Sequence, residues 1–108
     1  MNFEVNLSKG FLRDIKPLTK KYKSLADDLE TLIDSLELNP MQGTPLGKSC
    51  YKVRLAIKSK GKGKSGGARI VTYVVTENQE VILLTIYDKQ VKADLDPNEL
   101  DTLLESLE

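Results

Sequence analysis

Cys50-Tyr51-Lys52-Val53-Arg54-Leu55-Ala56-Ile57-Lys58 alternates between apolar and basic side chains. A period of two sends Tyr51, Val53, Leu55 and Ile57 to one side and Lys52, Arg54 and Lys58 to the other, so the run reads as a strand with a core face and a cationic face. Two more β-rich runs follow, Arg69 to Thr76 and Val81 to Tyr87, and the link Glu77-Asn78-Gln79-Glu80 suits a hairpin between them. Val81-Ile82-Leu83-Leu84 is apolar on both faces, as expected of a strand inside a sheet.

Upstream, a short strand is expected over Phe3 to Leu7, with Ser8 as a turn or N-cap. A short helix carrying Phe11, Leu12 and Ile15 comes next, and Pro17 is expected to interrupt it. Tyr22, Leu25, Leu29, Leu32, Ile33 and Leu36 recur at helical spacing and form one apolar stripe. Ser24 followed by Asp27 is a weak capping signal, with a start nearer Thr19 also open, and Asn39-Pro40 ends the helix. Met41 to Ser49, with Gly43, Pro45 and Gly47, reads as a loop. Asp96-Pro97 resembles an N-cap with proline at the first helical position, opening a C-terminal helix with Leu100, Leu103, Leu104 and Leu107. The order β-α-α-β-β-β-α implies an α+β fold: two N-terminal helices on one face of a mostly antiparallel four-stranded sheet, plus the C-terminal helix.

A chain of 108 residues bounds the organisation to one domain, residues 1–108, able to bury its own core without metals or disulfides. Cys50 is the single cysteine and there is no histidine, which excludes a disulfide framework, a zinc cluster and His-based acid/base chemistry within the monomer. The start of the chain lacks a signal-peptide pattern and no apolar run nears the roughly 20 residues of a membrane span, so a soluble cytoplasmic protein is expected.

The 16 basic and 16 acidic residues cancel in number but not in position. From Lys48 to Arg69 every charged residue is basic: Lys48, Lys52, Arg54, Lys58, Lys60, Lys62, Lys64 and Arg69. Acids gather at Asp27, Asp28, Glu30, Asp34 and Glu37, and again from Asp94 to Glu108, an asymmetry that suggests a polyanion-binding surface on a neutral body. Within the basic segment, Lys58-Ser-Lys-Gly-Lys-Gly-Lys-Ser-Gly-Gly67 lacks apolar anchors and reads as a loop. It is not a nucleotide-binding P-loop. Gly43-Thr-Pro-Leu-Gly47-Lys48-Ser49 has one residue too few between its glycines, and Gly63-Lys64-Ser65 lacks the upstream glycine. A charge run is often a plain solvated linker; here Lys52 and Arg54 before it and Arg69 after it converge at one end of the sheet if their strands pair, and its glycines allow close approach to an anion. Cys50 reads as a small packing residue because no histidine activates it, and Tyr51 and Tyr73 as packing residues too. Tyr87 and Lys89 share a face by alternation.

Three stretches, Cys50-Tyr-Lys-Val-Arg-Leu, Gly67-Ala-Arg69-Ile-Val-Thr-Tyr-Val and Leu83-Leu-Thr-Ile-Tyr87-Asp-Lys89, resemble the RelE/ParE superfamily of bacterial toxins, and the Lys-Gly loop with the last strand resembles its HigB-like branch. The resemblance implies an antiparallel sheet with two N-terminal helices on one face. It also implies the toxin of a type II toxin-antitoxin system, a ribosome-dependent, metal-independent endoribonuclease that cleaves mRNA and needs no cofactor. Its implied partners are the ribosome, mRNA and a small cognate antitoxin of helix-turn-helix type. Residue by residue, it implies catalytic roles for Lys52, Arg54, Arg69, Tyr87 and Lys89, and phosphate gripping by Lys48, Lys58, Lys60, Lys62 and Lys64. Lys89 stands where many relatives carry arginine, and Lys92-Ala-Asp-Leu-Asp-Pro holds no counterpart of the C-terminal tyrosine many relatives use. Two alternatives accompany this reading: a ParE-like toxin that binds a protein target such as DNA gyrase, and a catalytically weak RNA-binding module.

Overall fold

The computed structural model of the chain describes residues 2–60 and 67–107. Its elements are β1 (Glu4–Leu7), α1 (Lys9–Lys21), α2 (Leu25–Leu38), β2 (Thr44–Gly47), β3 (Cys50–Leu55), β4 (Ala68–Val75), β5 (Glu80–Asp88) and α3 (Glu99–Glu105). The strands form one five-stranded sheet in the order β1-β5-β4-β3-β2, antiparallel throughout except for the parallel pair β1 and β5.

The alternation of β3 sorts the two faces as the sequence requires. Val53, Leu55 and the following Ile57 enter the main core with Ile70, Val74, Val81, Leu83 and Ile86, and α1 and α2 close it with Phe11, Leu25, Leu29 and Leu36. Phe11, Leu25, Leu36, Ile57, Ile70 and Leu83 are fully buried, each stabilising the fold by roughly 1.5–3 kcal/mol. The opposite face carries a smaller cluster, Cys50, Val71, Leu84 and Tyr87, against which Leu95, Leu100, Leu103 and Leu104 of the α3 region pack. Both faces of the sheet are therefore covered, with helices of opposite ends of the chain.

Three expectations are corrected. The sheet has five strands, not four, because Thr44–Gly47 lies in the stretch read as a loop and pairs antiparallel with β3. Its proline sits on an edge strand, where a missing N–H is tolerated, and the tight link to β3 uses Lys48 (φ 55°) and Ser49 (φ 63°) in the left-handed region. Neither is the glycine or asparagine that announces such a turn, so the sequence hid it. Pro17 does not interrupt α1, which runs unbroken through it. Phe11 is buried and Ile15 and Leu18 pack on the same core, and that burial outweighs one lost backbone bond. The third strand ends at Leu55 instead of Lys58: the Lys58 N–H donates to Asp28 of α2 (3.1 Å) and the Ser59 N–H to Ser24 Oγ (2.9 Å), which turns the chain toward the helices.

Ser8 caps α1 as expected, its hydroxyl accepting from the Phe11 N–H at 3.0 Å. Ser24 takes the expected N-cap position of α2, its carbonyl accepting from the Asp28 N–H at 2.9 Å, but its hydroxyl, instead of accepting from the helix backbone, donates to the Asp28 carboxylate (2.7 Å), bracing the acid that holds Lys58. No helix among the described residues is long and apolar enough to cross a membrane.

Candidate functional site

Register builds the site. Arg54 on β3 pairs with Arg69 on β4, and Arg69 pairs with Tyr87 on β5, so three side chains from three adjacent strands form one row across the sheet, on the α3 face. Lys52 stands two residues along β3 on the same face. Arg54 is exposed, whereas Arg69 is only 3% exposed, its guanidinium donating to the Ala68 carbonyl at 3.1 Å. Burial first, and the neighbouring Arg54 second, hold Arg69 below the ordinary arginine range, while Tyr87 opposes them. Two guanidinium groups opposite each other on one face, one of them desolvated, make this end of the sheet strongly cationic.

Tyr87 lies beneath the C-terminal segment. Its hydroxyl is buried without a hydrogen-bond partner among the described residues, and Lys92 Nζ stands 5.6 Å from its ring centre. Burial, then the nearby Asp94, raise its phenol above the ordinary tyrosine range against the pull of Arg69. The phenol is therefore a proton holder at neutral pH, suited to donating a proton when a partner oxygen arrives.

The acidic C-terminal segment meets the basic face directly. Lys52 pairs with Asp94 at 3.3 Å, Lys92 with Glu99 at 2.5 Å, and Lys48 with Asp101. The carboxylate of Asp94, bonded first by the Leu95 N–H and then by Lys52, is held below the usual carboxylate range. These carboxylates occupy positions a phosphate could take.

The remaining sequence-chosen residues divide by environment. Lys89 follows β5 in a turn, exposed, with its N–H on the Gly67 carbonyl (3.3 Å), and Lys58 is exposed beside Arg54 in a cleft of about 210 Å³ that Asp28 and Gln42 also line. Lys60 is placed differently: its side chain is 6% exposed, and its ammonium pairs with Asp88 at 3.0 Å and lies 5.0 Å from the Tyr22 ring centre. Tyr22 donates to the other oxygen of Asp88 at 2.5 Å. Burial pushes the Asp88 carboxyl up, but the bonds from Tyr22, the Gln90 N–H and Lys60 together outweigh it and bring it down to about 2. Lys60 is thus internal, not a phosphate grip on the surface. Lys62 and Lys64 lie outside the described residues. The Cys50 thiol, buried and pushed up to about 11 by that burial, is a packing group. Among the described residues no cluster of histidine, cysteine or carboxylate side chains is suited to a metal ion.

The sequence marks Asp94, Glu99 and Asp101 only as members of an acidic stretch, with no contact to the basic face, and gives Asp88 no role. Asp88 could have been singled out: alternation between Tyr87 and Lys89 points it to the helix side, where a bare carboxylate needs partners.

Residues 13–106 match the family model described as the RelE toxin of the RelE/RelB toxin-antitoxin system. Solved structures agree on the fold. The chain is similar to an arginine-to-alanine double mutant of the Escherichia coli toxin RelE in the free state (18% identity, 86% of this chain and 90% of that one, TM-score 0.60). It is also similar to a chain of the Mycobacterium tuberculosis toxin-antitoxin complex RelBE2 (19%, 87% and 95%, 0.61) and to the E. coli RelE mutant bound to an antitoxin RelBc peptide (19%, 94% and 93%, 0.55).

Proposed function

The chain belongs to the RelE toxin family, and on that premise we propose that it is a ribosome-dependent endoribonuclease that stops translation by cleaving mRNA. The observation that carries this reading is the row Arg54, Arg69, Tyr87, two guanidinium groups and a protonated phenol aligned across three strands.

The chemistry balances with groups of that kind. The ribose 2′-oxygen attacks the adjacent phosphorus and gives up its proton, the P–O5′ bond breaks, and O5′ takes up a proton, leaving a 2′,3′-cyclic phosphate and a 5′-hydroxyl. Arg69 and Arg54 bind the equatorial oxygens whose charge grows in the transition state. Tyr87, whose raised pKa keeps the phenol protonated until the leaving oxygen develops its strongly basic charge, supplies the proton to O5′. Lys52, once Asp94 has released it, steadies the charge that grows on the attacking 2′-oxygen, whose proton leaves to solvent. Lys48, Lys58 and Lys89, all exposed, hold flanking phosphates. Those contacts make binding weaken steeply with salt. The partners of this reading are the ribosome and mRNA, in the cytoplasm, and a cognate antitoxin, the last in keeping with the antitoxins named in the complexes of the solved relatives; a small antitoxin of helix-turn-helix type is part of the proposal.

The test is cleavage of a defined mRNA on programmed ribosomes, read by primer extension. The parent should cut within the A-site codon, and Arg69→Ala should slow it about 10²- to 10³-fold, the loss typical of one transition-state donor. Full cleavage by Arg69→Ala would remove the proposed role of the row. Absence of cleavage together with inhibition of gyrase supercoiling would replace the nuclease with a protein-binding toxin.

A further inference from the structure

The first helix carries a second cationic surface that no part of the proposed cleavage uses. Lys9, Arg13, Lys16 and Lys20 follow one another at intervals of four, three and four, which places them in a single stripe, and all four are exposed. The stripe runs about 17 Å at 1.5 Å per residue. The helix's one acid, Asp14, lies off the stripe and accepts from Thr85 Oγ1 at 2.6 Å; its pair with Arg13 at 3.1 Å is open to solvent, with the Arg13 side chain 75% exposed, and leaves that guanidinium able to take a phosphate.

This is not the pattern of a merely solvated helix. Such a face gains by alternating acids and bases at i, i+4, whereas here like charges face each other along the whole stripe, and Lys9 sits in the first turn, where the helix dipole disfavours a cation. The acids lie instead on α2, where Asp27, Glu30 and Asp34 form an exposed stripe of their own. Among the described residues no ion pair joins the two helices. The basic stripe also adjoins the site: Arg13 and Pro17 of α1 line a cleft of about 460 Å³ together with Tyr87 and Lys92.

We infer that the α1 stripe binds the phosphate backbone of base-paired RNA while the strand to be cut lies on the sheet. Charge complementarity selects a polyanion. The choice of paired over single-stranded RNA follows from what the face lacks: its exposed positions hold cations, Leu12, Pro17 and Thr19, with no aromatic ring on which an unpaired base could stack. A double helix, whose bases are stacked on each other, needs only its phosphates held. The ribosome of the proposed function would supply such a helix beside the mRNA, and to that extent the inference rests on that reading.

Two variants test it: Lys9→Gln/Arg13→Gln/Lys16→Gln/Lys20→Gln, which keeps strong helix formers at every position, and Arg69→Ala. The probe is an RNA duplex of about 20 base pairs, a length that offers several phosphates to each face, titrated by fluorescence anisotropy over about 50 to 200 mM salt. Losing four phosphate contacts should lower the slope of log affinity against log salt by about three, so the parent's affinity falls about a hundredfold more than the variant's across that range. Arg69→Ala should bind the duplex like the parent. Equal slopes for parent and stripe variant overturn the inference, as does loss of duplex binding in Arg69→Ala, which would put the duplex on the sheet. So does sedimentation showing that the stripe instead joins a second copy through its acidic α2. Because the duplex assay requires no cleavage, a parent that binds duplex through α1 yet never cuts mRNA would remove the nuclease reading alone.

Discussion

Arg54 and Arg69 stand directly opposite each other on β3 and β4, two guanidinium groups on one face of an antiparallel pair. Like charges so placed destabilise a sheet by roughly 0.2–1 kcal/mol, and here one of them is also buried. The pair is a cost that binding a phosphate would offset. Arg54→Gln is therefore expected to raise stability by up to about 1 kcal/mol, measured by urea denaturation, while slowing mRNA cleavage at least about tenfold, the effect of removing one charge-assisted contact. A variant both less stable and fully active would show that the pair is structural.

Tyr87→Phe separates chemistry from packing in the same row. The buried hydroxyl has no partner among the described residues, and leaving a polar atom in that state costs about 1–3 kcal/mol, so deleting it should hold or raise stability by about 1 kcal/mol. Cleavage should fall about 10²-fold if this phenol protonates the leaving oxygen. Thermal denaturation and single-turnover kinetics on the same preparation check both halves. A stable Tyr87→Phe that cuts at the parent's rate removes the residue from the mechanism.

The sheet and the row were legible in the sequence for one reason: alternation fixes the face of every residue once a strand is recognised, and Val53, Leu55 and Ile57 against Lys52 and Arg54 leave little choice of face. What was not legible had no local signal. The edge strand β2 is built from Thr-Pro-Leu-Gly and turned by Lys48 and Ser49, residues that favour other conformations and are held by pairing with β3. Pro17 is overruled by tertiary burial in the same way. Lys60 shows the limit for sites. In the chain it is one lysine of a basic run; its capture by Asp88 and Tyr22 joins residues far apart in sequence, and composition carries no trace of that.

The Asp88–Lys60 pair makes a pH prediction. The Asp88 carboxyl falls from an ordinary 3.8 to about 2 in the folded chain, so the folded state holds its proton less tightly than the unfolded state does. Its contribution, about 2 kcal/mol, is thus fully present above about pH 4 and is lost as pH falls toward 2. Asp88→Ala should remove that acid-side dependence and, by leaving Lys60 buried without its carboxylate, cost about 3–5 kcal/mol at pH 7. Adding Lys60→Met should recover most of the loss. Urea denaturation from pH 2 to 7 checks each step, and a single variant as stable as the parent at pH 7 would mean the pair is not buried in solution.

Asp94 offers a test of how the acidic C-terminal segment relates to the row. It holds Lys52 at 3.3 Å and is one of the groups raising the Tyr87 phenol, so its charge acts on two residues of the proposed site while its side chain remains 62% exposed. An ion pair so open to solvent contributes little, and Asp94→Asn should change stability by less than about 0.5 kcal/mol. Its effect on RNA should be larger, because a phosphate entering the site must displace the carboxylate from Lys52 and approach against its charge. Removing that charge is expected to tighten binding of a short single-stranded RNA several-fold at low salt, with the gain shrinking as salt screens the repulsion. The control is Asp27→Asn on the outer face of α2, which removes the same charge far in sequence from the row and should leave the affinity unchanged. If both variants tighten binding equally, net charge alone is responsible; if Asp94→Asn weakens it, Asp94 positions Lys52 for RNA instead of competing with it.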